Sequence, residues 1–107
     1  IIDIVSTQPK QHQLVMYGII QLVEKRAEYI CTGEVYDLYK AYCSKLGFRP
    51  LTQRRVSDII GEFDMLGLIN VKVISKGRYG RTREIILSIP DKAKEKINTM
   101  LVEDLDL

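Results

Sequence analysis

From about residue 10 to 27 the apolar positions Leu14, Val15, Ile19, Leu22 and Val23, with Gly18 among them, recur at three- and four-residue spacing. That period predicts an amphipathic helix. The next stretch, EYICT at 28–32, is short and mixed and reads as an isolated strand. Thr32 then offers an N-cap to a second helix, with Glu34 and Asp37 where the helix dipole favours anions. Its inner face is Val35, Leu38, Tyr39, Tyr42 and Leu46, and Gly47 ends it. After the turn GFRPL, Thr52 caps a third helix whose inner face is Val56, Ile59, Ile60, Phe63 and Leu66, closed by Gly67.

The period then changes to that of strands. In LINVKVIS, 68–75, Ile69, Val71 and Val73 alternate with Asn70 and Lys72, which predicts one buried and one wet face. A second run, EIILSI at 84–89, completes a hairpin. The connection exceeds a two-residue turn, so its tip projects from the sheet. Pro90 and Asp91 open a last amphipathic helix with Ala93, Ile97, Met100 and Leu101 inward. Helices two and three, joined by a short turn, read as a helix-turn-helix, and the hairpin directly after makes the winged variant. The expected fold is α+β, mainly α: a winged helix-turn-helix with a three-helix core, a β-hairpin wing and a C-terminal helix, forming one domain over 1–107.

Composition changes this picture little. Hydrophobic residues make up 46% and charged residues 28% of the chain, ordinary for a globular domain. No apolar run approaches the roughly 18 residues of a membrane span, so no membrane role is expected. Cys31 and Cys43 are too few for a disulfide framework and read as core filling in an intracellular protein. The chain opens with Ile1, and the expectation is a fragment of something longer.

Charge changes it more. The net charge of +2 hides a segregation: between residues 71 and 83 stand Lys72, Lys76, Arg78, Arg81 and Arg83, with no acid. Removing those five from the 16 basic residues leaves 11 against 14 acids, a body of net −3. A mildly acidic body with one basic projection fits a polyanion partner, against the alternative of a hairpin charged for solubility.

Catalytic chemistry finds few residues. His12 is the sole histidine, and a histidine on a first-helix flank reads as a solvated or capping residue. No GxxxxGK phosphate loop and no HExxH or CxxC spacing occurs, so no enzyme, metal site or cofactor is expected in this chain.

The third helix carries a sharper signal. Gln53, Arg54 and Arg55 occupy its first turn behind Thr52, where cations oppose the macrodipole at a cost of roughly 0.3–1 kcal/mol each. A polyanion would supply the missing counter-charge. In a helix-turn-helix this turn enters the major groove, where Gln pairs with adenine and Arg with guanine, while Thr52 and Ser57 hydroxyls reach phosphate. The alternative is a screened arginine pair, partly compensated by Asp58 four residues after Arg54. In the wing, Gly77 and Gly80 flank Arg78 and Tyr79 and permit close backbone approach, and arginines on a narrow projection suit the minor groove. Two adjacent basic elements favour double-stranded DNA. Tyr36, Tyr39 and Tyr42, at three-residue spacing, read as helix-packing aromatics rather than a base-stacking strip.

The segments TGEVY, PLTQRRVSD, FDMLGLI and SKGRYGRT together resemble the C-terminal winged-helix domain of archaeal origin-recognition and cell-division-control initiator proteins, over about residues 32–87. The resemblance implies a replication initiator that marks chromosomal origins and helps load the minichromosome maintenance helicase. It also implies an AAA+ ATPase module elsewhere in the parent protein. ATP and magnesium would belong to that module, whose motifs are absent from these 107 residues. Carried over by motif, Thr52, Gln53, Arg54, Arg55 and Ser57 fall in the recognition helix, and Lys76, Arg78, Tyr79, Gly80, Arg81 and Arg83 in the wing. Gly61 departs from the larger or polar residue expected in mid-helix. The location implied is cytoplasmic and chromosome-associated.

Two other readings stay open: a transcriptional regulator of the same fold, or a module docking the helicase or the parent ATPase. A docking surface would expose apolar residues on the third helix or the wing, and Tyr79 is the one legible there.

Overall fold

A computed structural model describes residues 2–25, 30–75 and 81–107, the side chains of Ser75, Arg81 and Thr82 apart. Along the chain come α1 (Ile2–Ser6), α2 (Lys10–Lys25), β1 (Ile30–Cys31), α3 (Thr32–Leu46), α4 (Gln53–Met65), β2 (Ile69–Ser75), β3 (Arg81–Leu87) and α5 (Asp91–Asp104). The three strands form one antiparallel sheet in the order β1-β3-β2.

The first half of α2 is buried on more than one face: Leu14, Val15, Met16, Ile19 and Ile20 are all inaccessible to solvent. The helices α3, α4 and α5 and the strands β1 and β3 all pack on it. Burial here extends beyond the face that the three- and four-residue spacing marks, to Met16, Ile20 and the polar His12 and Gln13. The remaining core is Val35, Tyr39 and Cys43 of α3, Val56, Ile59, Ile60 and Phe63 of α4, Ile30, Ile69 and Ile85 of the sheet, and Ile97 and Leu101 of α5. Cys43 is core filling, as expected, and both cysteines are free thiols.

Five expectations are corrected. The segment EYICT contributes no isolated strand: Ile30 pairs with Ile85 and Cys31 with Glu84, so β1 is the third strand of the wing sheet. That pairing keeps Cys31 extended (φ −104°, ψ 152°) and makes it, not Thr32, the N-cap of α3. The Glu34 carboxylate accepts from the Cys31 N–H at 3.3 Å. Leu66, placed on the inner face of the third helix, is 44% exposed, because α4 ends at Met65 and the chain turns outward through Gly67 (φ 78°). Val73, placed on the buried strand face, is 59% exposed. Ile69, Val71 and Val73 do share a face, but burial decays along it toward the far end of the hairpin, from Ile69 through half-buried Val71 to Val73. His12, expected at solvent, is 8% exposed, with Nε2 2.9 Å from Glu62 Oε2 and its ring edge-on to Phe63.

Residues 2–6, for which no element is expected, form α1 against α5. Its buried Val5 is fixed from α2, where the Gln13 amide donates to the Val5 carbonyl at 3.3 Å. Helix α5 closes the other side of α2: Gln21 donates to Asn98 at 2.8 Å, and Lys94 lies 3.2 Å from Glu24.

Candidate nucleic-acid interface

The site begins at the turn between α3 and α4. Gly47 takes the left-handed conformation (φ 77°) that glycine adopts without strain, and the Phe48 N–H returns to the Cys43 carbonyl at 2.9 Å. Side chains from two helices then hold the turn's backbone. The Tyr39 hydroxyl accepts from the Leu51 N–H at 2.8 Å and donates to Gln11 Oε1 at 2.6 Å. The Tyr36 hydroxyl donates to the Leu51 carbonyl at 3.0 Å, and the Gln11 amide donates to the Arg49 carbonyl at 3.1 Å. Burial pushes the Tyr39 hydroxyl up to about 12, only partly offset by the Leu51 N–H, which stabilises the phenolate. Burial likewise raises Tyr42 and the Cys43 thiol. The tyrosines are helix-packing residues, as their spacing predicts, and two of them also buckle the turn.

Thr52 follows directly. Its hydroxyl accepts from the Arg55 N–H at 3.2 Å and caps α4, as expected. Gln53, Arg54 and Arg55 are exposed, Ser57 is half-buried, and the first turn of α4 contains no acid. Four residues that could read or grip a ligand thus emerge on one turn: Thr52, Gln53, Arg54 and Arg55. The Arg54–Asp58 pairing allowed by their spacing is not formed. The acid that reaches this turn is instead Glu62, whose Oε1 lies 3.9 Å from Arg55 Nη1 while its Oε2 meets buried His12. Arg55 and Glu62 are each about half exposed (47% and 49%), so this pair contributes at most about 1 kcal/mol. Arg54 has no such restraint among the described residues.

Helix α4 packs against β2, which ties the wing to the same body. The β2–β3 ladder extends to the pair Ser75↔Arg81, so β3 begins three residues before the apolar run predicts. Arg83 is exposed opposite Val73, and Lys72 faces Glu84 across the ladder. The backbone of Arg81 is in the ladder, and its side chain lies outside the described residues, as do Lys76, Arg78, Tyr79 and Gly80. Tyr79 is not the only apolar residue at issue on these elements: Met65 (89% exposed), Leu66, Val73 and Ile86 are also exposed on the end of α4 and the hairpin. Sequence reasoning missed Gln11 and Glu62, which act on the turn and on Arg55 from distant positions and carry no local signature.

A helix-turn-helix followed by a three-stranded sheet with a projecting β2–β3 hairpin defines a winged-helix domain. The family model described as the C-terminal winged-helix domain of CDC6 matches residues 3–96. The chain belongs to that family. It is 48% identical over 97 residues to ORC1-type DNA replication protein 7 of Halobacterium salinarum, covering 91% of this chain and 19% of that protein. It is 52% identical over 87 residues to the ORC1-type DNA replication protein of Thermococcus kodakarensis, covering 81% of this chain and 21% of the relative. The chain therefore spans about a fifth of these relatives. Among solved structures, the Aeropyrum pernix ORC1 protein in complex with DNA superposes with a TM-score of 0.83 at 42% identity, over 96% of this chain and 26% of that one. Among the described residues no helix is long and apolar enough to cross a membrane.

Proposed function

We propose that this chain binds double-stranded DNA as the winged-helix module of a replication initiator, acting at origins. The observation that carries the reading is the first turn of α4, which presents Gln53, Arg54 and Arg55 to solvent behind the Thr52 cap with no acid in that turn. The 42% identical neighbour solved with DNA supports it. Thr52 and Ser57 hold phosphate, while Gln53, Arg54 and Arg55 reach base edges in the major groove. Lys76, Arg78, Tyr79, Gly80, Arg81 and Arg83 form the wing contact, with the cations neutralising phosphate or entering the minor groove. The domain positions and does no bond chemistry. ATP and magnesium act in an AAA+ module of the parent protein, and helicase loading follows from origin binding by the whole initiator.

With about four to six phosphate contacts, log K against log salt falls by about 0.9 per contact, a slope near −4 to −5. A slope near zero in a titration with duplexes of varied sequence overturns the reading. Substituting Arg78 or Arg81 by Ala weakens all duplexes alike, whereas substituting Gln53, Arg54 or Arg55 also alters sequence preference.

A second reading has its own observation. Met65 and Leu66 are exposed side by side at the end of α4, at the opposite end of the helix from its cationic first turn. That surface fits docking of the helicase or the parent ATPase module alongside DNA binding, and a Met65→Glu variant that keeps duplex affinity but loses such a complex would establish it.

A further inference from the structure

The first turn of α4 is anchored at two ends by different means. On its C-terminal side the anchor is the core, since Val56, Ile59, Ile60 and Phe63 are buried. On its N-terminal side residues 52–55 are all exposed, so no packing holds them. What precedes them is irregular backbone from Gly47 to Thr52, without helix or ladder bonds of its own between Arg49 and Leu51. Left free, that segment would let the turn rock about Val56.

It is not left free. Leu51, immediately before the cap, has both backbone polar groups engaged, its N–H by Tyr39 and its carbonyl by Tyr36. Gln11 joins the two fixings, accepting from Tyr39 and donating to the Arg49 carbonyl. The rings that carry these hydroxyls are themselves held: Tyr36 and Tyr39 stack at 6.1 Å between centroids, and Lys40 Nζ lies 4.8 Å over the Tyr36 ring. Phenylalanine would fill the same volume, so the hydroxyls serve the turn and not the core.

We propose that Tyr36, Tyr39 and Gln11 are positioning residues for sequence discrimination, holding the turn so that Gln53 and Arg54 meet base edges in one register. The inference rests on the DNA reading of α4. Base-edge hydrogen bonds fail when donor and acceptor move by a few tenths of an ångström or tilt, whereas long cationic side chains follow a phosphate through such shifts. Loosening the turn therefore costs discrimination before it costs general affinity.

The test compares the 107-residue wild-type chain with Tyr36→Phe, Tyr39→Phe and the double variant, at a temperature below the unfolding transition of each. Two duplexes are used, one selected by the wild-type chain from a random library and one of the same composition in shuffled order. The double variant is expected to lose about tenfold in the ratio of the two affinities, the loss of about one base contact, with the salt slope kept within about one contact. An unchanged ratio in a folded variant, or equal losses on both duplexes, overturns the positioning role. Should the double variant not fold, Tyr36→Phe alone decides it, with a loss of about threefold expected. A wild-type chain that binds no duplex overturns the DNA reading and this inference together, whereas a discriminating wild-type matched by discriminating variants overturns this inference alone.

Discussion

Raising the pH from about 9 to 12 destabilises this domain, and a traceable share of the loss belongs to one hydroxyl, that of Tyr39. Tyr39 is fully buried and its ionisation lies at about 12 in the folded chain, against 10.0 in the unfolded one. Between those values the unfolded state has released its phenolic proton and the folded state has kept it. The folded state then binds more protons, so stability falls as pH rises. The contribution is fully present below about pH 10, is lost at up to about 1.4 kcal/mol per pH unit, and is exhausted near pH 12. Two units correspond to roughly 3 kcal/mol, a large share of the 5–15 kcal/mol typical of a domain. Cys43, raised from 9.0, and Tyr42, raised from 10.0, act with the same sign, so the decline begins near pH 9. Denaturant unfolding from about pH 8 to 12, with tyrosinate absorbance followed in parallel, measures the curve. Tyr39→Phe is the control: it leaves the Leu51 N–H without its partner and costs about 1–3 kcal/mol at neutral pH, but its stability declines less steeply above pH 10. A variant whose alkaline decline matches that of the wild type shows that Tyr39 is not the group responsible, and the argument from its burial fails.

Replacing Glu62 by Gln keeps an acceptor for His12 and removes the charge 3.9 Å from Arg55, so duplex affinity at low salt should rise by about two- to fivefold; an unchanged or lower affinity, read by fluorescence anisotropy, refutes the restraint on Arg55. Gly61 lies in mid-α4 with open space where a Cβ would stand, so Gly61→Ala should raise stability by about 1 kcal/mol, whereas Gly67→Ala, at φ 78°, should lower it by about 1 kcal/mol; thermal melts check both. Thr52→Ala removes the bond accepted from the Arg55 N–H and should cost about 1 kcal/mol, which denaturant titration resolves.

The sequence by itself determined the order of helices and strands from α2 onward, the helix-turn-helix and its wing, the Thr52 cap, the glycine turns at 47 and 67, and the acid-free first turn of α4. Those features depend on neighbours within four residues, so periodicity and capping chemistry expose them. Tertiary structure decided what depends on distant partners. The pairing of Ile30 with Ile85 recruits β1 into the sheet and hands the cap of α3 to Cys31. The contact between His12 and Glu62 spans 50 residues and turns a histidine that reads as solvated into a buried one. Gln11, Tyr36 and Tyr39 converge on Arg49 and Leu51 from two other helices. Nor could alternation alone say how far along the hairpin burial extends: Val73 fits the pattern of Ile69 but is 59% exposed. Local pattern assigns a residue to a face; only the packed neighbours determine whether anything covers that face, because burial belongs to the pair of surfaces and not to either one.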